Sequence, residues 1–233
     1  MSTSHLDRKA LKKPDAFLEK INGLFHFINE NGAAFLGILA VLFAIGLGIT
    51  FYISHVDKAA HEADSALYDA RHTLDKAVAK LKDKPAEWMV AAAPGLEGVE
   101  KVSKNFAGSR ASFEGFLLIG DAYYQHGNAA KAADYYKLAA DNAKPRSAKP
   151  VAQYALAYAY ENAKNYEGAI DALRQVISSG DKTLKGDSMM ALARNYALKG
   201  DKPRALEQYE QVGKEFPNTP MSKDAEIQIA HLR

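Results

Sequence analysis

Six residue positions recur three times, in one register, between residues 113 and 217. The first copy reads Ile119-Gly120, Tyr123, Ala132, Tyr136 and Ala139. The second reads Leu156-Ala157, Tyr160, Ala169, Leu173 and Val176, and the third Leu192-Ala193, Tyr196, Ala205, Tyr209 and Val212. Successive copies lie 37 and 36 residues apart. In each, the small residue is followed 12 positions later by alanine and 4 further on by a large side chain. A unit of this size cannot bury its apolar face alone, so the copies must stack on one another. Small residues at the two alanine-like positions let paired helices touch, and the large side chains fill the gaps between pairs. "HGN", "AKN" and "KGD" mark the short turn within each copy, with Gly127 and Gly200 suited to a positive φ.

The pattern resembles the tetratricopeptide repeat, whose period is about 34 residues. The resemblance implies an all-α, right-handed α-solenoid. The two or three extra residues per copy are expected in the loops "DNAKPRSAKP" and "SSGDKTLKGD". "NFAGSRASFEGFLLIG" also echoes "EFPNTPMSKDAEIQIA": Phe106 aligns with Phe216, Gly108 with Asn218 and Ser109 with Thr219. That echo predicts a degenerate repeat before the first clear copy and a final helix over residues 222–232 that caps the stack. In this family the first helices of successive repeats line a concave surface through positions two, five, nine, twelve and thirteen. Here these positions include Leu117, Asp121, Tyr124, Gln125, Tyr154, Tyr158, Glu161, Asn162, Met190 and Arg194. Aromatic, methionine and polar groups together suit extended or partly unfolded peptide. Leu117, Tyr154 and Met190 stand where a carboxylate-binding clamp would need polar or basic groups, which argues against an acidic C-terminal tail as the ligand.

Residues 31–56 contain no Asp, Glu, Lys or Arg, and residues 33–53 form a run of 21. At about 1.5 Å per residue, that run matches a hydrocarbon core about 30 Å thick. It is too long for the apolar part of a cleavable signal, and the chain continues as Ser54-His55-Val56-Asp57 with no small-residue cleavage site. It reads as an uncleaved anchor. Arg8, Lys9, Lys12, Lys13 and Lys20 precede it, whereas Lys58 and Arg71 follow, so the N-terminus is expected in the cytoplasm. Phe17, Leu18, Ile21, Leu24, Phe25 and Ile28 recur at helical spacing, as in a helix lying on headgroups. Ala40, Ala44 and Gly48 form a row of small residues that could admit a neighbouring membrane helix.

After the run, Ala60, Ala63, Leu67, Ala70, Leu74, Ala77 and Leu81 alternate at three and four. This heptad-like stripe is expected to pack on the first repeat rather than self-associate. Pro85 should end it, and the segment opened by Trp88 has no evident regularity.

The search for chemistry is negative. No nucleophile elbow, phosphate-binding loop or His-Glu-x-x-His pair is present. His55, His61 and His72 are not spaced to place a metal pair on one helix face. The chain has no cysteine, and a net charge of +2 argues against nucleic acid. The expectation is a non-enzymatic protein with no cofactor and no metal.

Taken whole, a short basic tail, one span and a repeat region resemble the YfgM-type family of ancillary subunits of the bacterial Sec translocon. "FHFINENGAAFLGILAVLFAIG" and the later "SALYDA" carry the sequence-specific part. The resemblance implies a single-pass inner-membrane protein with its C-terminal part in the periplasm, partnered by SecYEG and by periplasmic chaperones or client polypeptides. The expected division is a tail over 1–32, a span over 33–53, a connecting helix and degenerate repeat over 54–112, and three repeats plus the cap over 113–233. A scaffold for envelope or cell-division assembly is the alternative, and an enzyme with an unrecognised site a third reading.

Overall fold

A computed structural model of the chain describes residues 16–79, 81 and 85–233. The tail cations Arg8, Lys9, Lys12 and Lys13 and the side chains of Phe17 and Leu18 lie outside the described residues. The described residues contain ten α-helices and no strand. They are α1 (Ala16–Glu30), α2 (Gly32–Val78), α3 (Pro85–Asn105), α4 (Arg110–Gln125), α5 (Ala129–Asp141), α6 (Lys149–Asn162), α7 (Tyr166–Ser178), α8 (Lys182–Leu198), α9 (Lys202–Glu215) and α10 (Pro220–Leu232). The chain divides into two units, Met1–Asp57 and Lys58–Arg233.

In the first unit, α2 is long and apolar enough over one window to cross a membrane, and none of that window is buried by the protein. The hydroxyl of Thr50 donates to the carbonyl of Gly46 at 2.8 Å. A hydroxyl on a helix is satisfied in this way without a partner from outside.

The second unit is a stack of helix pairs, α4 with α5, α6 with α7 and α8 with α9, in which each helix packs on the next. The helices approach closely because the contact residues are small. Ala132, Ala169 and Ala205 on the second helices are fully buried, as are Ala157 and Ala193 on the first. Gly120 stands in the same place in the first pair, where a Cβ would come within 2.6 Å of the Tyr136 ring. The large side chain four residues on is Tyr136, Leu173 or Tyr209, each buried. Tyr123 and Tyr196, at one repeat position, sit under cations from the partner helix: Lys131 lies 5.0 Å from the first ring and Arg204 5.3 Å from the second. In the middle pair that cation is replaced by Gly168, which a Cβ would bring within 2.9 Å of Tyr160.

The three turns are built alike. The N–H groups of Asn128, Asn165 and Asp201 donate to the carbonyls of Tyr123, Tyr160 and Tyr196, each at 2.8 Å. The same residues then cap α5, α7 and α9, their side chains accepting from the backbone of Lys131, Gly168 and Arg204. Each such cap stabilises its helix by about 1 kcal/mol. The residue before the cap takes a positive φ: 81° at Gly127, 60° at Lys164 and 90° at Gly200. The echo between the two ends is equally literal. Gly108 and Asn218 both have positive φ, and Ser109 and Thr219 both cap the next helix by accepting from the backbone three residues on.

The stripe after the span packs in part: Ala63, Leu67 and Leu74 of α2 are buried in one core with α3 and α4 and Ala70 lies against it, but Ala60 and Ala77 are exposed. It ends sooner than expected, since the helix stops at Val78 and leaves Leu81 outside it. Three further expectations need correction. The segment after Pro85 is a regular helix, α3, with Pro94 inside it. Pro94 is exposed, and so is Val90, whose carbonyl it deprives of a donor. Beside it, Gly95 lets α3 cross α2, since a Cβ there would lie 2.7 Å from the Leu74 Cα. Second, "SSGDKTLKGD" is mostly helix: Asp181 accepts from the backbone N–H groups of Thr183 and Leu184 and starts α8 early. The extra residues there lengthen a helix instead of a loop. Third, the last helix begins at Pro220, which Thr219 caps, rather than at residue 222.

Two outcomes check this packing. Ala169→Leu or Ala205→Leu should overpack a helix pair and cost about 1–3 kcal/mol in chemical denaturation. Lys164→Gly should raise stability by about 0.5–1 kcal/mol, because glycine adopts the required positive φ without the steric cost.

Candidate functional site

Helices α4, α6 and α8 carry all ten residues that the repeat pattern places on the inner face. The structure brings them together in two groups. The first spans α6 and α8 and reaches back to α4. Glu161 accepts from Arg194 three times, with Nε to Oε1 at 3.0 Å and to Oε2 at 3.2 Å, and Nη2 to Oε2 at 3.0 Å. Its Oε2 also accepts from the Nδ2 of Asn195 at 2.5 Å. The guanidinium lies 5.4 Å from the centre of the Tyr158 ring. Burial works against its charge, but the hydrogen bonds with Glu161 and Tyr158 outweigh burial and raise its pKa further. The Tyr158 and Tyr154 hydroxyls are 3.0 Å apart, and burial, then that contact, holds the Tyr154 hydroxyl well above its usual pKa. Asn162 donates to the Tyr124 hydroxyl at 2.7 Å, tying α6 to α4. Met190 is half-buried against the core between α8, α9 and α10.

The second group, Leu117, Asp121 and Gln125 on α4, lines a separate cavity of about 380 Å³. Its other walls come from Leu67 and Leu74 of α2 and Trp88 of α3. Asp121 is exposed yet accepts from the Tyr136 hydroxyl at 2.7 Å, so it also braces the first helix pair. Burial and then that carboxylate push the Tyr136 hydroxyl far above its ordinary pKa.

Two contributors were not evident from the repeat pattern. Asn195 is fully buried at a position filled by Ala122 and Ala159 in the other copies. A polar residue among alanines at one register position was the signal for the Glu161 network. Trp88 stacks on His126 at 4.1 Å with the rings 18° apart. Its signal was being the chain's one tryptophan, next to a segment that read as irregular.

On α2, Ala40, Ala44 and Gly48 are exposed, and no described residue comes within 4 Å of a Cβ placed at Gly48. Among the described residues, no cluster of three or more His, Asp or Glu is placed to hold a metal ion.

Stacked antiparallel helix pairs with a polar and aromatic inner face define a repeat solenoid of the kind that mediates protein–protein interaction. A family profile described as a tetratricopeptide repeat-like domain matches residues 26–189, and one described as a tetratricopeptide repeat matches residues 187–219. The chain belongs to the tetratricopeptide repeat-like domain family, and its repeats make it a protein-interaction adaptor. Neither family is described as catalytic. Among solved structures, the fold is similar to the nearly identical TPR-like repeats of a kinesin light chain from Podosopora anserina. That structure has 18% identity and a TM-score of 0.50, and the match covers 73% of this chain and 85% of that one. A glutamine-to-methionine variant of the same repeats gives 18% identity, a TM-score of 0.51, and 73% and 84% coverage. No curated protein matches the sequence.

The network makes two substitutions separable. Glu161→Ala strands Arg194 and Asn195 and should cost about 1–3 kcal/mol by thermal or chemical denaturation. Asn195→Ala restores the residue found in the other copies, and its buried Oδ1 has no partner to lose. It should therefore cost less than about 1 kcal/mol.

Proposed function

We propose that this protein is a membrane-anchored adaptor at the periplasmic side of the Sec translocon, linking emerging polypeptides to periplasmic chaperones. The observation that carries the reading is the joining, in one chain, of a membrane-span candidate and an interaction solenoid that follows it. The excess of Lys and Arg before the run supports a solenoid on the opposite side of the membrane from the tail. The motif resemblance around residues 25–46 and 65–70 supplies the translocon as the setting. In this reading the inner-face residues Tyr124, Tyr154, Tyr158, Asn162, Met190 and Arg194 contact partner polypeptide. Ala40, Ala44 and Gly48 face a helix of the membrane complex, where small side chains allow close approach.

The test is a mild-detergent purification of the tagged full chain from its own membranes, with mass spectrometry of what accompanies it. Sec subunits together with periplasmic chaperones are the expected company. A single stoichiometric envelope or division complex, without Sec subunits, would replace this reading by that of a fixed scaffold.

Topology has its own test, because the chain lacks cysteine. A cysteine introduced as Lys164→Cys should react with a membrane-impermeant maleimide in cells with a permeabilised outer membrane. One introduced as Ser4→Cys should react after the inner membrane is also opened. The reverse pattern would place the solenoid in the cytoplasm.

A further inference from the structure

The inner face is uneven. Toward α6 and α8, its polar groups already partner one another: Glu161 with Arg194 and Asn195, Tyr154 with Tyr158, and Asn162 with Tyr124. A partner lying along that stretch meets aromatic rings and Met190 but few hydrogen-bonding groups that are not already paired. At the end formed by α2, α3 and α4, the surface left by the described residues is open. The cavity of about 380 Å³ falls within the range of ligand-sized sites, about 300–1,000 Å³.

Its floor is apolar. Leu67 and Leu74 are nearly buried, and Leu117 lies half-buried beside them. Trp88 makes one wall, and its stack on His126 holds the ring in place before anything binds. A wall ordered in advance removes part of the entropy cost of association. The rim is charged and unbalanced. Asp75, Glu114 and Asp121 line it with Arg71, and Glu114 is already bound by Arg110 at 2.6 Å. Among the described ion pairs, Asp121 has no cation and accepts only the neutral Tyr136 hydroxyl, so it carries the excess negative charge. Arg71 reaches Asp75 at 4.0 Å with both side chains about two-thirds exposed, so the pair is loose. Aromatic and leucine floors take apolar anchors, and a rim of one sign selects partners of the other sign.

We propose that this cavity receives one apolar side chain of a partner polypeptide that carries lysine or arginine beside that anchor. The proposal rests on the adaptor reading and specifies where on the solenoid the partner is held and what sequence it carries. The anchor supplies affinity by leaving water. The flanking cation meets Asp121 or the loosely paired Asp75 and sets the preference.

Trp88 is the chain's single tryptophan and therefore reports on its own wall. The test uses the full chain in dodecyl maltoside and two tryptophan-free nonapeptides with the same Leu-Ile-Phe core, one flanked by lysines and the other by glutamates. The lysine peptide should shift Trp88 emission saturably and bind at least about fivefold more tightly than the glutamate peptide. Raising salt should narrow that gap. Asp75→Lys should reduce or reverse the preference while the melting temperature stays put. An unmoved Trp88 emission, or equal binding of both peptides, overturns the proposal.

A photo-crosslinking residue at Gln125, on this rim, or at Asn162, farther along the face, separates the two levels of the account. Partner proteins captured from Gln125 in membranes support the pocket. Partner proteins captured from Asn162 alone overturn the pocket and leave the adaptor reading standing. A second copy of this chain captured from Gln125 overturns the pocket as a partner site. No protein captured at either position counts against both.

Discussion

The close contact between the two helices of each pair is what the rest of the second unit depends on. Gly120, Ala157 and Ala193 meet partner helices whose own contact residues are Ala132, Ala169 and Ala205, all with no room for a larger side chain. At that separation the tyrosines and leucines four residues further on reach across and close the core. The short turn, its positive φ and its Asn or Asp cap then follow from joining two helices held so near. Once the pairs are fixed, α6 comes to lie against α8, and the hydrogen bond from Asn162 to Tyr124 ties α6 to α4.

That dependence explains what could be read from the sequence. Contact alanines and capping residues are local requirements, imposed again in every copy, so repetition exposed them. The turn in the middle copy shows the limit of residue identity: Lys164 adopts the conformation that Gly127 and Gly200 adopt, because the surrounding hydrogen bonds impose it. The end signatures, Phe106-Ala107-Gly108-Ser109 and Phe216-Pro217-Asn218-Thr219, were legible for the same reason, since a positive φ followed by a hydroxyl cap is a local device.

What escaped the sequence is non-local or unrepeated. The helix α3 occurs once, so no repetition announced it; its Pro94 faces solvent, and Gly95 is where α2 crosses. The early start of α8 depends on the Asp181 cap, which competes with an otherwise loop-like composition. The residues that the repeat pattern assigns to an inner face lie on α4, α6 and α8, but their pairing was not visible. Glu161 and Arg194 are 33 positions apart, and Tyr124 and Asn162 are 38 apart. Position in a repeat says which way a side chain faces. It does not say whether a neighbour has already claimed its hydrogen bonds, and that distinction separates the self-paired stretch from the open cavity beside Trp88.

The measurement that bears most directly on the account is hydroxyl-radical footprinting of the full chain, free and in the complex it forms in its own membranes. If the inner face holds the partner, protection falls on Trp88, Leu117, Tyr124, Tyr158 and Met190, while Leu138 and Leu198 react as before. Protection confined to Leu138, Leu198 and their neighbours, with the inner face unchanged, would contradict it.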